Sequence, residues 1–159
     1  MMDHEGCLQS LAGIIESLAF LMPLGPAEAD PADGLSVEVP WHGPDGSHGV
    51  VLIALDLQTA DAIAINMLGL APGEQPAGAD RLDAARELAN VIAGNLLPAY
   101  YGGDHEFHLA APRGCTPRAL TGRPVLRLTL IEGVMGVSVE SEAENSRILK
   151  AVTLPSGGP

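Results

Sequence analysis

The sequence is short of positive charge and of aromatic rings. Its 159 residues include 8 Lys and Arg against 20 Asp and Glu, a formal net charge of −12, and Lys150 is the single lysine. A nucleic-acid binder displaces counterions from phosphates with a basic surface, which this composition cannot build. The same shortage argues against docking on an anionic membrane leaflet and favours a protein partner with a basic rim. Aromatic residues make up 3% while hydrophobic residues reach 47%, so the core is expected to consist of Leu, Ile, Val, Ala and Met. Cysteine is scarce as well. Cys7 and Cys115 are far apart, form no CxxC pair, sit in no nucleophile motif, and read as two reduced thiols.

Other familiar features are missing. The glycine-rich stretch Gly43-Pro44-Asp45-Gly46 lacks the Lys-Ser/Thr ending of a phosphate loop and leads into no helix. The apolar run from Leu8 to Leu24 has Asp3 and Glu5 before it, no basic residue, and Glu16 within it. It therefore reads neither as an export signal nor as a membrane span. The expectation is a cytoplasmic protein that engages no membrane and no nucleic acid.

The length fits one domain over residues 1–159, with 1–6 and 155–159 as flexible ends. Leu8, Leu11, Ile15, Leu18 and Met22 recur at helical spacing, predicting a helix from Cys7 to Met22 that stops at Pro23, with a loop following to Gly34. Leu35, Val37, Val39 and Trp41 alternate with polar residues and, with Val50 to Leu55, predict a hairpin. Thr59 is placed to cap a short helix that Gly69 ends. A long helix is predicted from Asp80 to about Leu97, kinked or ended by Pro98. Strands are predicted over Glu106–Ala110, Val125–Leu130, Val134–Glu140 and Ile148–Leu154. Early helices followed by adjacent strands point to an α+β fold, a largely antiparallel sheet with helices packed on one face.

At 100° per residue, Leu82, Ala85, Leu88, Ala89, Ile92 and Leu96 share one side of the long helix. Asp83, Glu87, Asn90 and Gly94 share an arc of about 60° on the other. Glu87 and Asn90, at i and i+3, project side by side. A carboxylate there can engage a partner's cation, a neutral amide can both donate to and accept from one water, and Gly94 admits a close backbone. Acids and amides are equally ordinary on a solvated helix face, and Asp83 in the first turn also complements the helix dipole.

The segment DAARELANVIAGN resembles the signature of the CheC/CheX/FliY phosphatase family: Asp83, then Glu87 and Asn90 as ExxN, Gly94 four residues on, and Pro112 downstream. The order of elements also resembles a CheX-like member across nearly the whole chain. The resemblance implies a phosphatase acting on phosphorylated CheY-type response-regulator receiver domains, in chemotaxis or related two-component signalling. Asn90 would then orient the attacking water and Glu87 would pair with the receiver's lysine, while Asp83 and Gly94 contact the partner. It implies no cofactor of the chain's own, the Mg2+ being supplied by the receiver. CheC-like members carry two motifs, but Glu16 is followed three residues on by Ala19, so one site per chain is expected, in a homodimer. The apolar runs Val50–Leu55 and Leu126–Ile131 suggest sheet edges for that dimer. The alternative is a non-catalytic receiver-binding or flagellar-switch-like module of the same fold.

No metal site is expected. His105 and His108, three apart on a predicted strand, would point to opposite faces, and His4, His42 and His48 stand alone.

Overall fold

The computed structural model describes residues 2–71 and 73–142. The predicted strand at Ile148–Leu154 and the predicted flexible end at 155–159 lie outside them. Helix α1 spans His4–Ile14 and opens on Asp3, whose carboxylate accepts from the Gly6 amide. Structure therefore begins inside the stretch read as a loose N-terminus. The helix continues as a π-helical turn over Ile15–Ala19 and is closed by Phe20 in the left-handed conformation. It ends three residues before Pro23, so the reversal at Phe20 is what stops it. The following residues are not all loop, because Pro23–Pro26 form strand β1.

Strands β2 (Leu35–His42) and β3 (His48–Leu55) make the expected hairpin, in register from Leu35 opposite Leu55 to His42 opposite His48. Helix α2 covers Leu57–Leu68 and ends at Gly69, which adopts φ 65°. Its cap is Asp56 rather than Thr59: the Asp56 carboxylate accepts from the Thr59 amide at 2.9 Å and from the Val134 amide at 2.8 Å. Asp is as good a cap as Thr, and here one carboxylate satisfies two elements at once.

Helix α3 runs from Gly78 to Tyr101, straight through Pro98. Proline removes the amide that would serve the Gly94 carbonyl, but Gly94 lies on the exposed side of the helix, where water can take its place. The last turn is also anchored by packing. The Tyr101 ring lies 5.8 Å from Trp41 and 5.7 Å from Phe107, centroid to centroid. That aromatic contact holds the backbone helical where the proline would release it.

The remaining strands among the described residues are β4 (His108–Leu109), β5 (Arg113–Cys115), β6 (Val125–Leu130) and β7 (Val134–Ser141). β4 is shorter than predicted, and β5 had no sequence signal: Arg-Gly-Cys neither alternates nor carries a β-branched residue. All pairings are antiparallel, in the order β1-β6-β7-β3-β2-β4, with β5 also on β2. The α+β expectation holds. The helices bury one face of the sheet through Val37, Val39, Trp41, Val51, Ile53, Val137 and Val139. Leu52, Ala54 and Leu120 form a smaller cluster on the other.

The order corrects the expected dimer edges. β3 lies between β2 and β7, and β6 between β1 and β7, so the apolar runs Val50–Leu55 and Leu126–Ile131 fall on interior strands. β3 is buried on both faces, β6 buries Leu126, Leu128 and Leu130 on one, and Ile131 lies just beyond β6, so the runs reflect burial inside the sheet rather than an open edge.

Candidate active site

The site is built on the middle of α3. Ala84, Ala85, Leu88, Ala89, Ile92, Ala93, Leu96 and Leu97 are all at most 3% exposed. Four alanines let the helix lie close to the sheet, and the three leucines and Ile92 fill the space between. Two further ties fix its first turns. Arg81 pairs with Asp61 of α2, and Leu82 packs on Gly114 of β5, where an added Cβ would come within 3.0 Å of it. With one face locked, the opposite stripe has a defined position. Asp83, Glu87, Asn90 and Gly94 are all exposed, as the helical wheel requires.

Facing that stripe is a short wall. β4 and β5 together make one interrupted edge strand beside β2, and the interruption is residues 110–112. The Ala110 amide still bonds to the Pro40 carbonyl at 2.9 Å, so the break stays attached to the sheet. Between wall and helix lies an open cleft of about 410 Å3, lined by Asp83, Arg86, Glu87, Asn90 and the segment Leu109 to Pro112. The structure thus brings Asp83, Glu87, Asn90 and Pro112 into one place, although Pro112 is distant in sequence. Gly94 lies one turn beyond, beside Leu109, at ordinary van der Waals distance for an added Cβ (3.9 Å).

Arg86 and the residues Leu109 to Ala111 were not among the sequence candidates. On the helical wheel Arg86 flanks the stripe by about 40°, a signal that could have placed it. The wall had none, because it exists only through β-pairing. Arg86 donates from Nε to the Pro112 carbonyl at 2.9 Å, and its Nη1 lies 3.9 Å from Asp83. It is the cation of the cleft, beside the Asp83 carboxylate.

The histidines need one revision. His42 and His48 do not stand alone: they oppose each other across the hairpin with ring centroids 5.9 Å apart, and His48 bonds to Glu142 at 3.0 Å. His105 lies outside β4, so the alternation argument does not apply to it. Among the described residues, no group of three or more His, Cys, Asp or Glu is placed to hold a metal ion. No helix among them is long and apolar enough to cross a membrane.

Comparison with known proteins bears on this arrangement. The family model described as chemotaxis phosphatase CheX matches residues 42–129, a span that holds the whole stripe and the wall. Among solved structures, a CheX chemotaxis protein from Vibrio vulnificus is similar over 87% of this chain and 95% of its own, at 20% identity and a TM-score of 0.65. The CheX of the CheX–CheY–BeF3–Mg2+ complex from Borrelia burgdorferi is similar over 89% and 99%, at 16% identity and a TM-score of 0.65. A chemotactic CheC-like protein from Shewanella oneidensis is similar over 87% and 96%, at 23% identity and a TM-score of 0.61. These identities establish the fold. No match was found among curated proteins.

Proposed function

This chain belongs to the chemotaxis phosphatase CheX family, and we propose that it hydrolyses the aspartyl phosphate of phosphorylated CheY-type receiver domains. The observation that carries this reading is the exposed pair Glu87 and Asn90. They stand one turn apart on a helix whose other face is fully buried, and they open onto a cleft that nothing in the described chain fills. A rigid helix presenting a carboxylate and an amide can enter a partner's active site without reorganising, which is where such catalysis gains most.

In this proposal the Asn90 amide accepts a hydrogen from the attacking water and donates to its oxygen, setting it in line with the phosphorus–oxygen bond that breaks. Glu87 pairs with a lysine of the receiver and fixes the approach. Asp83 and Gly94 complete the contact. No covalent intermediate on this chain is needed, since positioning and charge stabilisation account for most phosphoryl-transfer catalysis. The Mg2+ of the reaction is assigned to the receiver. Asp83 and Glu87 are the cleft's carboxylates and the Arg86 cation lines the same cleft 3.9 Å from Asp83, a donor set that does not suit a resident divalent cation. The Borrelia burgdorferi relative in complex with CheY, BeF3 and Mg2+ supports the choice of partner.

The expected homodimer is carried into the proposal with a different surface. Phe20, Met22, Leu24 and Ile131 are 58–73% exposed. The first three lie in or beside β1, and the Ile131 amide bonds to the Met22 carbonyl at 3.4 Å. Apolar side chains grouped in this way mark an association surface. Two prolines in β1 disfavour strand pairing, so the copies pack by side chains.

Incubation with a panel of phosphorylated receivers from the same genome tests the activity. Faster loss of phosphate from at least one receiver than its own autodephosphorylation supports it. Tight binding of a phosphorylated receiver without acceleration replaces it with the non-catalytic binding module.

A further inference from the structure

We propose that Arg86 is a positioning residue, a clasp that holds the Ala110–Pro112 wall at the separation from Glu87 and Asn90 that a receiver must fit; this rests on the receiver-phosphatase reading.

The wall is the weakest part of the cleft. It is the three-residue gap between β4 and β5, where the pairing with β2 lapses. Pro112 has no amide to contribute to the sheet. Within the gap, the Ala110 amide is tied back to Pro40, and the tie running across to α3 is the Arg86 Nε bond to the Pro112 carbonyl, spanning 26 residues of sequence. One side of the cleft is therefore fixed by a buried helix face, while the other hangs from the sheet at its ends and through Ala110, and its hydrogen bond across to that helix is the one from Arg86.

The placement of Arg86 suits this task better than a role in folding. Its side chain is 44% exposed, whereas the residues that fasten α3 to the sheet are buried. Releasing the bond leaves that core untouched and frees the wall alone. A cleft with a mobile wall still reaches the competent shape for part of the time, so apparent affinity falls in proportion to that fraction while turnover of the bound complex is preserved. One solvent-exposed hydrogen bond sets the scale, roughly three- to tenfold in KM.

The chemistry of the side chain provides a discriminating variant. Nε of arginine and Nε2 of glutamine stand the same number of bonds from Cα, so Arg86→Gln keeps the donor and removes the charge. Arg86→Lys keeps the charge and moves the donor one atom further out.

The experiment combines steady-state dephosphorylation of a phosphorylated receiver with the heteronuclear NOE of the Ala111 amide in the isolated protein. Arg86→Ala is expected to raise KM three- to tenfold with kcat within twofold, and to lower the Ala111 NOE. Arg86→Gln is expected to restore both. Unchanged KM and NOE in Arg86→Ala would overturn the proposal, as would rescue by Lys but not by Gln, which would make Arg86 a charge rather than a clasp. The NOE needs no receiver. Absence of phosphatase activity in the wild type would remove the function proposed above, while the NOE series would still decide whether Arg86 holds the wall.

Discussion

Replacing Gly94 by alanine should move stability and function in opposite directions. A glycine inside a helix costs about 0.8–1.0 kcal/mol relative to alanine because its unfolded backbone is freer. Nothing in the described chain requires glycine here. Its φ is helical, its surface is exposed, and an added Cβ would meet only Leu109 Cδ1 at 3.9 Å. Gly94→Ala should therefore stabilise the free protein by about 1 kcal/mol and raise Tm by about 2–4 °C for a domain of this size. If glycine is there to let a receiver's backbone approach, the same methyl should weaken docking and raise KM for the phosphorylated receiver by about tenfold, a loss of roughly 1.4 kcal/mol. Thermal unfolding by circular dichroism gives the first quantity and steady-state dephosphorylation the second. A more stable variant with unchanged KM would show that Gly94 takes no part in docking. A less stable variant would show that the helix needs glycine for its own sake, and the reasoning would fail at its first step.

Glu87→Ala should chiefly raise KM and leave the circular dichroism spectrum unchanged, since the side chain is exposed on a helix anchored elsewhere; a fall in kcat alone would reassign it. Burial works against the charge on Asp30, yet the Arg127 hydrogen bond, the Leu120 amide and the Arg127 charge outweigh it and hold the carboxyl below its usual range. A depressed folded-state pKa stabilises above the unfolded value near 4 and ceases to as pH falls through the folded value. Asp30→Asn should thus lower the urea midpoint at pH 7 and differ little from wild type near pH 2. Burial and the Asp3 charge push the Cys7 thiol up, and burial with the Glu38 charge does the same for Cys115 despite Arg118. Both thiols should react with a disulfide reagent at pH 8 more slowly in the folded protein than in urea.

Periodicity carried most of the fold. The β2–β3 hairpin, β6, β7 and the two faces of α3 are all legible in the sequence, β2, β6 and α3 because each buries one face against a continuous core and β3 and β7 because they are apolar runs buried on both. What escaped depends on contacts remote in sequence. Proline is a sound reason to end a helix, but it could not reveal that Trp41 and Phe107 would hold Tyr101 in place beyond Pro98. Asp56 and Thr59 are both good caps, and the deciding fact, the Val134 amide waiting for the second oxygen of Asp56, lies on another strand. Hydrophobic runs could not distinguish edge from interior strands. The site divides in the same way: the stripe on α3 was readable as a helix face, and its opposite wall was not, since residues 110–112 become a surface only when β4 and β5 pair with β2.

The central claim rests on the amide of Asn90. The most direct measurement is the rate constant for phosphate loss from a cognate phosphorylated receiver, with saturating wild type and with saturating Asn90→Ala, alongside circular dichroism of both. Loss of one positioned polar group predicts a drop of roughly a hundredfold in the variant with its fold unchanged. Dephosphorylation by Asn90→Ala at the wild-type rate would contradict the account.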